Sequence, residues 1–156
     1  MAGTLKVKIQ EDIVLDNQDY GSKRVLEIGS IAQVIQRIVS VPTTESGLLG
    51  VGALISTDLS KSYIAGLVTE VQTRYIRITN LDSSNYITLN LRDEDGGEFA
   101  IRVDAGHSFI VPAGNGLANM VDISSSALSV SFEDLVDITA QANTAACNVE
   151  VFVASA

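Results

Sequence analysis

Apolar and polar residues alternate with a period of two through much of this chain, and the alternation is cleanest between Arg74 and Pro112. Four runs follow one another there: Tyr75-Ile76-Arg77-Ile78-Thr79, Tyr86-Ile87-Thr88-Leu89-Asn90-Leu91, Phe99-Ala100-Ile101-Arg102-Val103 and Ser108-Phe109-Ile110-Val111. Segments rich in Asn, Asp, Ser and Gly separate them, at 80–85, 93–97 and 104–107. Successive strand side chains point to opposite faces, and those residue types turn a backbone cheaply. Residues 74–112 therefore predict a central antiparallel meander. One face would carry Ile76, Ile78, Ile87, Leu89, Leu91, Phe99, Ile101 and Val103, with Arg77, Thr88, Asn90 and Arg102 on the other. A one-sided sheet needs a cover.

The rest of the chain supplies candidates for that cover. Leu5, Val7 and Ile9 alternate with Lys6, Lys8 and Gln10 as a half-buried first strand, which Ile13-Val14-Leu15 continues after a bend. Residues 16–22 are dense in turn formers and predict a surface loop, after which Val25, Leu26 and Ile28 open another short strand. From Ile31 to Val41 helix and strand compete. Apolar residues at 31, 34, 35, 38 and 39 fit helical spacing, but Val34, Ile35, Ile38, Val39 and Val41 are β-branched, which favours a strand ended by Pro42. Further strands are expected at 120–123, 128–132, 138–142 and 149–153, with at most a helical turn at Glu133-Asp134-Leu135. About a dozen short strands in one domain predict an all-β fold, an antiparallel β-sandwich or jelly-roll-like double sheet. Residues 1–156 read as a single domain. Within it residues 1–50, isolated alternating strands between polar loops, are expected as an extended docking arm.

Charge narrows the partners. With 19 acidic against 10 basic residues the net charge is −9, a field that repels phosphate backbones and anionic membranes, so neither nucleic acid nor membrane is an expected partner. A composition 46% hydrophobic and 19% charged belongs to a folded chain. The opening residues alternate charge with aliphatics where a signal peptide would be continuously apolar, which predicts synthesis in the cytoplasm.

Candidate chemistry is sparse. His107 is the single histidine and Cys147 the single cysteine, so a catalytic triad or histidine metal cluster lacks members. His107 reads as a turn residue and Cys147 as a buried thiol. The glycines of Gly47-Leu48-Leu49-Gly50-Val51-Gly52 lack the Lys-Ser/Thr pair of a phosphate-binding loop, so a kinked or bulged strand is the better reading. Asp93, Glu94, Asp95 and Glu98 offer carboxylates to a hard cation such as calcium, but without EF-hand spacing they read as a solvated hairpin tip. With no Trp and eight Phe and Tyr together, a carbohydrate-binding groove is poorly supplied. No catalytic residue, cofactor or metal ligand is assigned, and no enzymatic activity is expected.

Several stretches resemble small structural proteins of tailed-bacteriophage virions. They are Thr4-Leu5-Lys6-Val7-Lys8-Ile9, Gln36-Arg37-Ile38-Val39-Ser40-Val41-Pro42-Thr43-Thr44, and Tyr75-Ile76-Arg77-Ile78-Thr79-Asn80 continuing through Asn85-Tyr86-Ile87-Thr88-Leu89 to Asp104-Ala105-Gly106-His107-Ser108-Phe109. Asp137-Ile138-Thr139-Ala140 and Glu150-Val151-Phe152-Val153-Ala154-Ser155 are similar to the ends of the same proteins. The resemblance implies a non-enzymatic virion component, foremost a capsid decoration or cement protein that sits on the outer face of the head shell, binds the major capsid protein and bridges capsomers. It also implies a homo-oligomer, a trimer by analogy. The alternatives are a neck, tail or fibre-base protein of the same particle, or a carbohydrate-binding β-sandwich.

Overall fold

The computed structural model describes residues 2–52, 63–69, 72–94, 96–112 and 134–156. Their elements are all strands: β1 (Gly3–Glu11), β2 (Val14–Leu15), β3 (Gln18–Asp19), β4 (Ser22–Ile31), β5 (Gln33–Val41), β6 (Ser46–Val51), β7 (Leu67–Val68), β8 (Thr73–Asn80), β9 (Ile87–Asp93), β10 (Glu98–Val103), β11 (Ser108–Pro112), β12 (Leu135–Ala142) and β13 (Cys147–Ser155). Two sheets form a sandwich, one in the order β10-β9-β12-β6-β7 and the other β11-β8-β13-β5. All pairs are antiparallel except β6 with β7. The chain is all-β, as the period-two pattern predicts.

The meander is a correction. β8 pairs with β11 and β13, whereas β9 pairs with β10 and β12, so the four runs are split two and two between the sheets. Between Asn80 and Ile87 the chain crosses from one sheet to the other, and between Val103 and Ser108 it crosses back. The face assignment largely survives, because both halves turn their apolar sides to one core: Ile76, Ile78, Ile87, Leu89, Leu91 and Val103 are buried in it. These strands cover each other. Phe99 is the exception at 49% exposed, since it stands near the start of an edge strand.

The competition over residues 31–41 resolves as a strand. Ile35, Val39 and Val41 turn to the core while Val34 and Ile38 stay exposed on the outer face, so the helix-like spacing arose from apolar residues on both faces. β13 lies between β5 and β8, with Val149, Val151 and Val153 inward and Phe152 outward. In β6 the register against β12 jumps between Gly47 and Leu49, opposite Thr139 and Ile138. Leu48 is thus the extra residue of a bulge, and both leucines are fully buried.

Residues 1–50, expected as one extended segment, divide between two parts. β5 and β6 belong to the sandwich, and what stands apart is a two-stranded ribbon of β1 and β4 running from Gly3 to Ile31. Its far end is no loop: β2 and β3 pair as Val14↔Asp19 and Leu15↔Gln18 around a two-residue turn, with Asp16 at φ 51° and Asn17 at φ 62°. Two consecutive positive φ values match the twist of a hairpin, and Asp and Asn tolerate them best after glycine. The strands expected at 120–123 and 128–132 lie outside the described residues, as do residues 53–55, Asp95 and Glu133. Leu135 opens β12 rather than a helical turn.

Candidate functional site: the ribbon and the groove at its root

Alternation along β1 and β4 gives the ribbon two faces. Paired residues share a face, so Leu5 and Ile28, Val7 and Leu26, and Ile9 and Arg24 form one side. At the root, Leu5, Val7, Ile28 and Ile31 pack on Tyr75, Ile110, Phe152 and Ala154 of the outer face of the four-stranded sheet. This second small cluster fastens the ribbon. Elsewhere on the ribbon the cover is missing: Ile9 is 54% exposed, Val14 71%, and Ile13, Leu15, Tyr20, Val25 and Leu26 are exposed as well. A lone two-stranded ribbon is marginal in water, and exposed apolar residues grouped on one invite a partner.

Between the root and the sheet runs a groove of about 380 Å³, with Val7, Lys8, Tyr75, Arg77, Ile110 and Phe152 among its lining. Phe152 meets Tyr75 edge to face, with ring centroids 6.0 Å apart, and the Arg77 guanidinium lies 5.6 Å from the Phe152 centroid. Glu150 holds Arg77 at 2.5 Å and accepts from Gln36 Nε2 at 2.6 Å. Burial raises the Tyr75 hydroxyl above its ordinary range, a shift that the Arg77 charge partly opposes. The groove is apolar with a cationic rim.

On the opposite outer face Arg92 gathers carboxylates. Glu45 lies at 2.6 Å, Glu98 at 2.9 Å and Asp137 at 3.8 Å, and the Thr139 hydroxyl also donates to Glu45. Glu98 of the acidic loop is thereby engaged. Asp93 is engaged too, its carboxylate accepting the Gly97 backbone N–H at 2.6 Å. A Cβ at Gly97 would stand 2.3 Å from an Asp93 oxygen, so any larger residue there would displace this carboxylate.

His107 and Cys147 stand in different elements, the first in the turn before β11 and the second at the start of β13. His107 Nδ1 is 2.9 Å from the carbonyl of Ala105, and its backbone carbonyl accepts the Asn80 N–H. Cys147 is fully buried, and its Sγ contacts the Ala145 carbonyl. Burial pushes the thiol up from its ordinary pKa, and the Asp82 carboxylate adds to this. Cys147 should react with iodoacetamide only when β13 opens. Native labelling, followed by mass spectrometry, is expected to be at least about a hundredfold slower than in urea, because opening a central strand costs several kcal/mol. Equal rates in both conditions would contradict that burial.

Pattern reasoning missed Asn80, which the sequence presents as one more turn former. It is fully buried, its Nδ2 donating to the carbonyls of Asn85 at 2.8 Å and Val103 at 3.2 Å, while its Oδ1 accepts from the Asp82 N–H at 3.0 Å. Asp82 in turn accepts the N–H groups of Asn85 and Ser84, which holds its carboxyl below the usual range. No family model, curated protein or solved structure matches the chain.

Proposed function

We propose that this protein is a non-enzymatic structural component of a tailed-phage virion that adheres to a repeating protein lattice through its ribbon. The leading version is a decoration or cement protein on the outer face of the head shell, bound to the major capsid protein. The observation that carries the adhesive part is the ribbon, whose apolar residues from Ile9 to Leu26 are exposed although the sandwich has its own well-filled core. The virion part rests on the sequence resemblance, and the acidic balance suits a surface away from packaged genome. His107, held in the turn before β11, and Cys147, buried at the start of β13, suit a structural rather than a chemical role.

The test is sedimentation of the purified protein with undecorated heads, and separately with tails, of the phage particle that carries it. Co-sedimentation with heads, lost on Val25→Asp with Leu26→Asp on the exposed part of the ribbon away from its tip, is the expected result. Binding to tails alone would move the protein to the neck or tail. A protein that pellets with neither would overturn the reading.

A further inference from the structure

The ribbon is polarised in charge as well as exposed. Its outer part carries Glu11, Asp12, Asp16 and Asp19 with no basic residue between positions 9 and 22. Its inner part, Gly3 to Gln10 with the β4 residues paired to them, carries Lys6, Lys8, Lys23 and Arg24 against the single acid Glu27, with Arg24 and Lys23 opposite Ile9 and Gln10 at the outer limit of the packed root. Glu27 neutralises Lys6 at 2.8 Å and Glu150 neutralises Arg77, which leaves Lys8, Lys23 and Arg24 without an ion pair among the described residues. The acids of the outer part have no cation among the described residues either: Glu11 accepts from Ser22 Oγ, Asp12 from Gln10 Nε2 and Asp19 from the Gly21 N–H. Four of the chain's ten basic residues stand in this inner half of the ribbon, in a molecule whose net charge is −9.

We propose that the acidic, apolar tip of one ribbon seats in the groove at the root of another copy's ribbon, so that copies of this chain exchange arms. The tip offers Ile13, Val14 and Leu15 among four carboxylates, and the groove offers Val7, Tyr75, Ile110 and Phe152 beside Lys8. Apolar surface meets apolar surface, and unpaired acid meets unpaired base. The exchange has to be between copies. The groove is lined by the ribbon's own β1, and the tip projects about 20 Å past Ile9 at roughly 3.3 Å per residue. Folding back would break the pairs Ile9↔Arg24, Gln10↔Lys23 and Glu11↔Ser22. This inference does not depend on what lattice the protein decorates.

The test is sedimentation velocity of the full chain, alone, over a range of concentrations at low and high salt. Two charge reversals probe the two halves: Glu11→Lys with Asp12→Lys toward the tip, and Lys8→Glu with Arg24→Glu beside the groove, where Arg24 pairs with the lining residue Ile9. All four side chains are exposed, and circular dichroism checks that the strands persist. The wild type is expected to self-associate more weakly at high salt. Each reversal should weaken association by about tenfold or more, since two like-charge contacts replace two attractive ones. A chain carrying both reversals should recover it. Three results would each overturn the proposal: a wild type monomeric at every concentration, association indifferent to either reversal, or a combined chain no better than its parents. Binding to heads is measured separately, so a failure here is distinguishable from a failure of the virion reading.

Discussion

Replacing Asn80 by alanine is expected to destabilise the folded chain by about 3 kcal/mol, because a buried carbonyl left without its donor costs roughly 1–3 kcal/mol and this amide serves two. The residue ties three parts together. Its side chain reaches Asn85 in the link to β9 and Val103 at the end of β10, and its backbone pairs with Gly106 and His107 in the turn before β11. Asn80→Asp should do at least as badly at neutral pH, since a carboxylate cannot donate to either carbonyl. Urea denaturation reads the effect as a lower midpoint at unchanged slope. A loss below about 0.5 kcal/mol would show that the amide contributes little and that the crossover is held elsewhere, because ordinary surface changes fall in that range.

A matched pair in the other sheet separates buried from exposed positions that the sequence presents as equivalent. Leu89 and Phe99 both occupy the apolar phase of their strands, yet Leu89 is fully buried and Phe99 is 49% exposed. Leu89→Ala should cost about 2–5 kcal/mol through lost burial and the cavity left behind. Phe99→Ala removes the larger side chain and should cost under about 1 kcal/mol, because much of it is already in water. Thermal or urea unfolding of the two variants side by side decides the matter, and a larger loss for Phe99 would mean that the edge at β10 is covered.

The contrast shows what alternation carries. Period two reports which side of a strand is apolar, and on that basis Ile76, Ile78, Ile87 and Leu89 read as inward-facing, which they are, though from two sheets rather than one. It does not report which strand lies alongside, so a meander and a two-sheet clasp look the same. What distinguishes them is Asn80, whose bonds run from the end of β8 to the end of β10, and a single Asn has no pattern. The hairpin at the ribbon tip was legible in principle, since Asp16-Asn17 is a two-residue turn between Leu15 and Gln18. The polar density of residues 16–22 concealed it. The bulge in β6 was better announced, by glycines flanking two adjacent leucines. The groove was not legible at all, because it joins Val7 to Phe152 across almost the whole chain.

The position of β13 sets the order of events during synthesis. Gln33 and Ser155 are register partners, and so are Thr73 and Ser155, which means that a strand made late is the one that fills the gap between β5 and β8. Until residues 147–155 leave the ribosome, the four-stranded sheet has no centre, and β5 and β8 wait with inner edges open. The platform that fastens the ribbon includes Phe152 and Ala154, so it is finished only at that moment. Contacts of such long sequence separation make folding slow, and an unfilled slot between two waiting strands accepts any extended segment. The same geometry delays the groove: a nascent chain carries residues 3–31 long before residues 147–155 supply the platform that the proposed arm exchange would use.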